Sequence, residues 1–348
     1  MDRAHQATDR IIEEIEKRLS KEYAQAEKEI EQKLNDYLRR YRKKDETWRR
    51  WVAEGKKTQE EYQKWRKGQL AVGKRWRDLK EQLATDMRNT DMIAKAIANG
   101  EMPHIYALNH AYGTFQLEAS AHIDTSYTLY NREAIERIIR ENPDMLPPPG
   151  QRMAKKIAEG KAKRWTKEKL QSDMIQGIMQ GDSIPELAKR IAGSAERQGM
   201  KDAVRYARTM ATGAQNAGRY DAYRRAKDMG IDLVIEWTAT LDNRTRHAHR
   251  EMHGQRTTVD EPFYTPDGFT IYYPGQGGED IPQRYIWNCR CSLLAWVAGF
   301  EHETIRESDD VDDFDEWLKG HSESQDILKQ WDTGNAIKMQ YIQRYRNG

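Results

Sequence analysis

Over the first ninety residues the apolar positions fall on one helical stripe. Ile12, Ile15, Leu19, Tyr23, Ala26, Ile30, Leu34, Tyr37 and Tyr41 are separated by steps of 3-4-4-3-4-4-3-4. Such an eleven-residue repeat, ~3.67 residues per turn, keeps one nearly straight edge on a long α-helix. Charges of both signs surround the stripe, and no proline occurs before Pro103. A break falls near Gly55, and Thr58 followed by Glu61 is a capping-box pattern for a second helix. There Trp65, Trp76, Leu79, Leu83 and Met87 are spaced to face the first helix, which predicts an antiparallel hairpin. A stripe of this kind needs an apolar partner, either that second helix or another subunit.

Asn99-Gly100 followed by Pro103 reads as the end of this section, with further helix over 104–141 interrupted near Asp124-Thr125-Ser126. Pro147-Pro148-Pro149-Gly150 cannot be helix interior and marks a boundary. Helices are expected near 152–164 and 166–180; after a turn at Gly181-Asp182-Ser183, Ser183 with Glu186 caps another, with Pro185 in its first turn. A long helix over about 198–228 stops at Gly230. The texture then changes. Ile231–Thr240 is β-branched and aromatic, Asp242 is placed to N-cap a short helix Asn243–His253, residues 255–273 alternate around Pro266-Asp267-Gly268 as a hairpin would, and Arg290–Val297 reads as a strand. The expectation is a mainly α protein with a small C-terminal α+β module and a long N-terminal helical hairpin. Its segments are an extended helical arm (1–102), a helical connector ending in the proline-rich linker (103–150), a further helical part (151–230), the α+β module (231–300) and a C-terminal tail (301–348) whose final helix carries Ile337, Tyr341 and Tyr345.

Composition agrees with long solvated helices. Charged residues make up 33% of the 348 and hydrophobic ones 37%, with a mean hydropathy of −1.00, against roughly 25% charged in ordinary globular chains. A compact α/β enzyme would not look like this. No run approaches the ~20 apolar residues of a membrane span, and the N-terminus lacks the apolar core of a signal peptide. Two cysteines, Cys289 and Cys291, exclude a disulfide framework and suit a reducing compartment. The net charge of +2 is unevenly spread: 301–348 holds 12 acids against 6 Lys/Arg, an acidic tail. By contrast 151–169 holds Arg152, Lys155, Lys156, Lys161, Lys163, Arg164, Lys167 and Lys169 against Glu159 and Glu168. That block is either a phosphate-tracking surface for nucleic acid or simply a solvated helix face.

One constellation carries candidate chemistry. His247, His249 and His253 share a heptapeptide, and both cysteines follow about forty residues later. On a helix His249 and His253 lie i, i+4 on one side. Together with Cys289 and Cys291 they make a complete His₂Cys₂ set for tetrahedral zinc, although Cys-x-Cys is tighter than the usual spacing. A metal-free packed cluster is the alternative, because free cysteines behave as small buried hydrophobes. A third reading arranges Asp242, His247, His249 and Asn288 as a metal-dependent nuclease site with a histidine base. Arg208-Thr209 reads as a buried polar pair or cap, or with Arg208 orienting the Asp242 carboxylate.

Tyr206-Ala207-Arg208-Thr209, Ala214–Tyr223, Gly230, Trp237-Thr238, Asp242-x-Arg244-Thr245-Arg246-x-x-His249, Gly254 and Asn288-Cys289-Arg290-Cys291 occur here in one order. This pattern, over about 170–297, resembles the bacteriophage minor head proteins typified by phage Mu protein F, also called head morphogenesis proteins. Residues 151–230 would be the helical part of that domain. The resemblance implies virion assembly: a non-enzymatic minor component, in several copies, that binds portal and major capsid or scaffold protein and contacts packaged double-stranded DNA. It implies location in the head interior or at the portal vertex, and in host cytoplasm during assembly. Some relatives carry cysteines where Arg246 and His249 stand, which would face Cys289-x-Cys291; here Arg246 is no ligand, so His253 substitutes or no metal binds. Met210 also stands where Glu commonly follows the Arg-Thr pair. The apolar stripe and the aromatics Trp48, Trp51 and Trp65 are expected to dock on head proteins, with the basic block facing DNA. The rival expectations are a metal-dependent nuclease or toxin-like effector packaged in the virion, and a host coiled-coil or DNA-binding protein.

Overall fold

The computed structural model describes residues 2–121, 167–277, 280–298 and 309–321. The linker Pro147–Gly150, the basic residues Arg152 to Arg164 and the expected terminal helix lie outside them, as do the side chains of Lys167 and Lys169. The protein is mainly helical, with a small α+β module near its C-terminus. Its helices are α1 (Arg3–Arg39), α2 (Arg42–Ala53), α3 (Gln59–Leu70), α4 (Lys74–Ala121), α5 (Lys167–Met179), α6 (Ile184–Asp228), α7 (His247–Met252) and α8 (Asp309–Gly320). Strands β1 (Leu233–Thr238), β2 (Arg256–Thr257), β3 (Phe263–Tyr264), β4 (Thr270–Ile271) and β5 (Ser292–Val297) lie between α6 and α8. The chain divides into two compact units, and α1, α4 and α6 contribute residues to both.

One unit holds 18–94 and the described part of 152–203. Here the predicted stripe is buried at Leu19, Tyr23, Ile30, Leu34 and Tyr37, and its partner is α4, through Trp76, Leu79, Leu83 and Met87. Tyr23 donates to Asp91 (2.7 Å), Lys33 pairs with Asp86 (2.7 Å) and the Tyr37 ring lies 5.8 Å from Trp76. As α1 ascends in number its α4 partners descend, so the two helices run antiparallel. The chain therefore covers its own stripe, and docking of that edge on head proteins is corrected: Ile15, Leu19 and Ile30 are core residues. The Thr58–Glu61 capping box is present. The expected single second helix is two, because Gly73 at φ +101 breaks it between α3 and α4. Glycine reaches such a positive φ without the steric penalty of a Cβ, which is why helices so often end beside one.

The second unit holds 1–17, 204–348 and 95–151 as far as described. The expected stop at Asn99-Gly100-Pro103 does not occur; α4 runs through Pro103. An interior proline costs roughly 3 kcal/mol. Burying a large apolar side chain contributes about 1.5–3 kcal/mol, and Ile97, Met102, Ile105, Tyr106 and Leu108 are all buried around that point. Packing prevails over the local signal. Strand order is β2-β1-β5, all antiparallel, with Ile235 opposite Ala295 on one side and Thr257 on the other. The predicted hairpin is β3–β4, turning at Gly268 with φ +83. Leu233, Ile235 and Trp237 alternate onto the core face beside Phe263, Tyr285 and Leu293. At the module's helical side α6 meets α4 with almost no separation: a Cβ on Gly218 would sit 2.3 Å from the Tyr106 carbonyl. Two further helix details differ from expectation. The sequence separates a capped helix at Ser183 from one near 198, whereas α6 is continuous over 45 residues. And α7 begins at His247, so Asp242 is not its N-cap.

Candidate metal centre

The site is built on one polar edge of α6. Thr209, Thr212, Asn216 and Arg219 recur at steps of three and four on an otherwise small-residue face, and each bonds the extended segment before β5 or its start. Thr209 Oγ1 accepts from the Asn288 amide (3.0 Å), and Thr212 Oγ1 donates to the Cys289 carbonyl (2.6 Å). Asn216 Nδ2 donates to the Cys291 carbonyl (2.9 Å), its Oδ1 accepts from the Leu293 amide (3.0 Å), and Arg219 donates to the Leu293 carbonyl (3.2 Å). A helix edge thus stands where a neighbouring strand would. Buried backbone groups require such partners, and these bonds set the position and orientation of Cys289 and Cys291. Asn288 takes a left-handed φ of +50 where the segment turns into the ladder, a conformation that asparagine tolerates better than most residues.

The second half of the site is the loop from Thr240 to α7. Asp242 receives Arg290 in a two-point ion pair (2.6 and 2.7 Å) and the Arg244 amide (2.9 Å). The Arg290 hydrogen bonds hold the Asp242 carboxyl well below the usual carboxylate range. Arg246 bonds the Trp287 carbonyl and Thr240 the Arg290 carbonyl. The histidine-bearing segment and Asn288–Cys291 are therefore one structure, stapled across some forty residues of chain.

His249, 2% exposed, projects from α7 between the two sulfurs: Nδ1 is 3.2 Å from Cys291 Sγ and 3.5 Å from Cys289 Sγ. Its ring lies parallel to Tyr285 (centroids 6.2 Å apart) and edge-on to Trp237. Cys289 is held well below the ordinary thiol range, first by the hydrogen bond from Cys291 and then by His249, against burial; Cys291 is pushed up as its proton-sharing partner. Among the described residues His249, Cys289 and Cys291 are grouped so that they could hold a metal ion, with donor atoms within 4.8 Å of one another. Tetrahedral zinc at ~2.3 Å from sulfur and ~2.0 Å from nitrogen separates its ligands by roughly 3.5–3.8 Å; the Nδ1–Sγ separations of 3.2 and 3.5 Å lie just below and at the lower edge of that range, so His249 and Cys291 would move apart by a few tenths of an ångström to hold the ion. A polar cleft lined by Asn288, Thr240 and Arg246 opens beside them, where a fourth ligand such as water fits. Among the described residues His249 Nε2 is buried without a hydrogen-bond partner, so none of them supplies the outer hydrogen bond that usually orients a ligating histidine.

His253 does not join this group. The helix ends at Met252, and the His253 ring instead accepts from the Ala239 amide (3.2 Å), so the i, i+4 relation to His249 is lost. The four-ligand set expected from the sequence is corrected to three. The nuclease arrangement is not assembled either. His247 has a 90% exposed side chain paired with Glu251, and Asp242 is taken up by Arg290. Arg208 does not reach Asp242; it pairs with Glu16 (2.6 Å). The polar pair reading of Arg208-Thr209 holds only for Thr209, which is buried. Asn216 and Arg219 lie within the Ala214–Tyr223 stretch, which does not itself single them out, and Thr212 lies outside it; their regular spacing with Thr209 on a small-residue helix face is the signal that marks them.

Residues 168–294 match the family described as Phage Mu protein F like protein, the stretch that contains the α6 ladder, His249 and both cysteines. Through these residues the chain resembles the phage minor head proteins. It is 24% identical over 294 residues to Minor head protein GP7 of Bacillus phage SPP1, covering 84% of this chain and 85% of that protein. It is also 31% identical over 211 residues to the NAD(+)–arginine ADP-ribosyltransferase EFV of Enterococcus faecalis, covering 58% of this chain. The chain spans 40% of that relative's length. No solved structure matches it significantly.

Proposed function

We propose that this chain acts in phage head morphogenesis as a multi-copy minor component of the virion, in the head interior or at the portal vertex, after assembly in host cytoplasm. It binds portal protein and major capsid or scaffold protein and contacts packaged double-stranded DNA. The observation that carries this reading is the likeness to a minor head protein along nearly the full length of both chains, helical arm and module together. With the α1 stripe buried, the docking surface passes to groups that remain outside, including the Trp51 ring at the α2–α3 tip. Co-expression with the cognate portal, capsid and scaffold proteins tests it: the chain should co-purify with one of them, and recovery of all three without it contradicts the reading.

Within this function His249, Cys289 and Cys291 hold zinc as a structural clip, which cross-links the segment before β5 to α7 in a module too small to bury a large core of its own. Elemental analysis of purified protein should give one zinc per chain, lost in Cys291→Ser. A second reading is favoured by one observation, the transferase relative: an effector enzyme carried in the virion. Purified protein that consumes NAD, or cleaves DNA with divalent metals, would support it; inactivity in both assays would exclude those chemistries.

A further inference from the structure

Positive charge is concentrated in one further stretch. Residues 39–80 hold 16 Lys/Arg against 6 Asp/Glu, a net +10 in a chain whose total is +2. The structure places twelve of the sixteen cations on α2, α3 and the start of α4, and all sixteen within one compact unit. Inside, Asp45 accepts from Tyr62 (2.8 Å) and pairs with Arg66, while Arg66 also bonds the Asp182 carbonyl. Arg66 is the buried cation of the group. Lys43, Lys44, Arg50, Lys64 and Lys67 are exposed and, among the described residues, have no acidic partner. Lys43 and Arg50 stand two turns apart on α2, roughly 10 Å, and Lys64 and Lys67 share one face of α3.

From this geometry we infer that the α2–α3 tip is a phosphate-tracking surface for double-stranded DNA, which gives the DNA contact of the proposed function a specific location and rests on that reading. A cationic surface of this density binds polyanions by releasing their counterions. The other features of the tip select a duplex. Single strands are held by stacking bases on free aromatic faces, whereas Trp48 is stacked on Trp65 (5.5 Å) and beside Tyr62 (6.4 Å). A membrane surface is entered by a broad apolar face, whereas the large apolar side chains exposed between 39 and 80 are Trp51 and Val72. The tip offers charge without insertion.

The test is binding of the full chain to a labelled random-sequence duplex of about 30 base pairs over a salt series. Single-stranded DNA of equal length, phosphatidylglycerol vesicles and polyglutamate serve as parallel probes. Replacing Lys43, Lys44, Arg50, Lys64 and Lys67 together by Ala should lower duplex affinity at least tenfold. It should also flatten the plot of log K against log salt by about 2 to 4, at ~0.9 for each phosphate that is no longer neutralised. Replacing Lys21, Lys28, Lys189, Lys201 and Arg224, exposed cations outside the tip, should leave both unchanged, which separates site from net charge. Wild-type affinity in the tip variant, an equal loss in the control, or preference for single strands, vesicles or polyglutamate overturns the inference. None of these outcomes alters co-purification with head proteins, so the two readings fail separately.

Discussion

Asn216 shows how much of the site rests on single buried amides. It satisfies the Cys291 carbonyl and the Leu293 amide at once, so Asn216→Ala strands two buried backbone groups at about 1–3 kcal/mol each. We expect a loss of about 2–4 kcal/mol in denaturant unfolding and, at the same time, weaker zinc retention. Titration separates two further residues. His110 is fully buried and burial lowers it from 6.5 to about 3; the unfolded chain then binds the proton first, so stability falls as pH drops from about 6.5, by at most about 1.4 kcal/mol per pH unit. Asp242 is depressed from its ordinary 3.8, so its contribution is complete above that value and lost only at lower pH. Acid unfolding of Asp242→Asn should therefore show lower stability than wild type at pH 5, with the difference shrinking only as pH falls below about 3.8 and still present at pH 3, and with the His110-dependent slope unchanged; an altered slope between pH 6 and 4 would contradict this assignment. The ion pair is readable in the sequence only as two motifs, because nothing in D-x-R-T-R or N-C-R-C says that Arg290, rather than Arg208, turns toward Asp242. His253 departs from its apparent role for a local reason: its helix stops one residue earlier than the histidine spacing assumes.

At the scale of elements, periodicity is the dependable signal. The α1 stripe, the Thr58 cap, the β3–β4 hairpin and the β1–β5 strands all follow from spacing and turn chemistry, because those depend on local backbone preference. What spacing does not supply is the partner. The same stripe would suit another subunit, and α4 covers it because Trp76, Leu83 and Met87 return at matching heights. Pro103 misleads because a breaker is judged locally while its helix segment is buried on all sides. Glycine supplies a test that distinguishes packing from propensity. Gly218→Ala places a methyl against the Tyr106 carbonyl and should destabilise by about 1–3 kcal/mol or more, as overpacking does. Gly68→Ala in α3 meets nothing within 4 Å and should stabilise by about 0.5–1 kcal/mol. Equal effects, measured by thermal unfolding, would mean that the α4–α6 approach is looser than described.

For the whole molecule, the family likeness rests on the module, and the arm follows from simple amphipathic rules; neither by itself says what the protein touches. Leu19→Asp should unfold the arm rather than merely block docking, with a loss of several kcal/mol from a fully buried site; circular dichroism that stays wild-type while head incorporation is lost would restore the stripe as an interface. The likeness along the length of a minor head protein is what supports the proposal that arm and module serve one assembly role. The most direct measurement is a cryo-electron density map of heads assembled with this chain present. Density fitting the α6 ladder with its His249–Cys289–Cys291 clip, repeated in several copies against portal or shell, is the result expected. Complete heads with no such density, while the protein remains free in the lysate, would contradict the account.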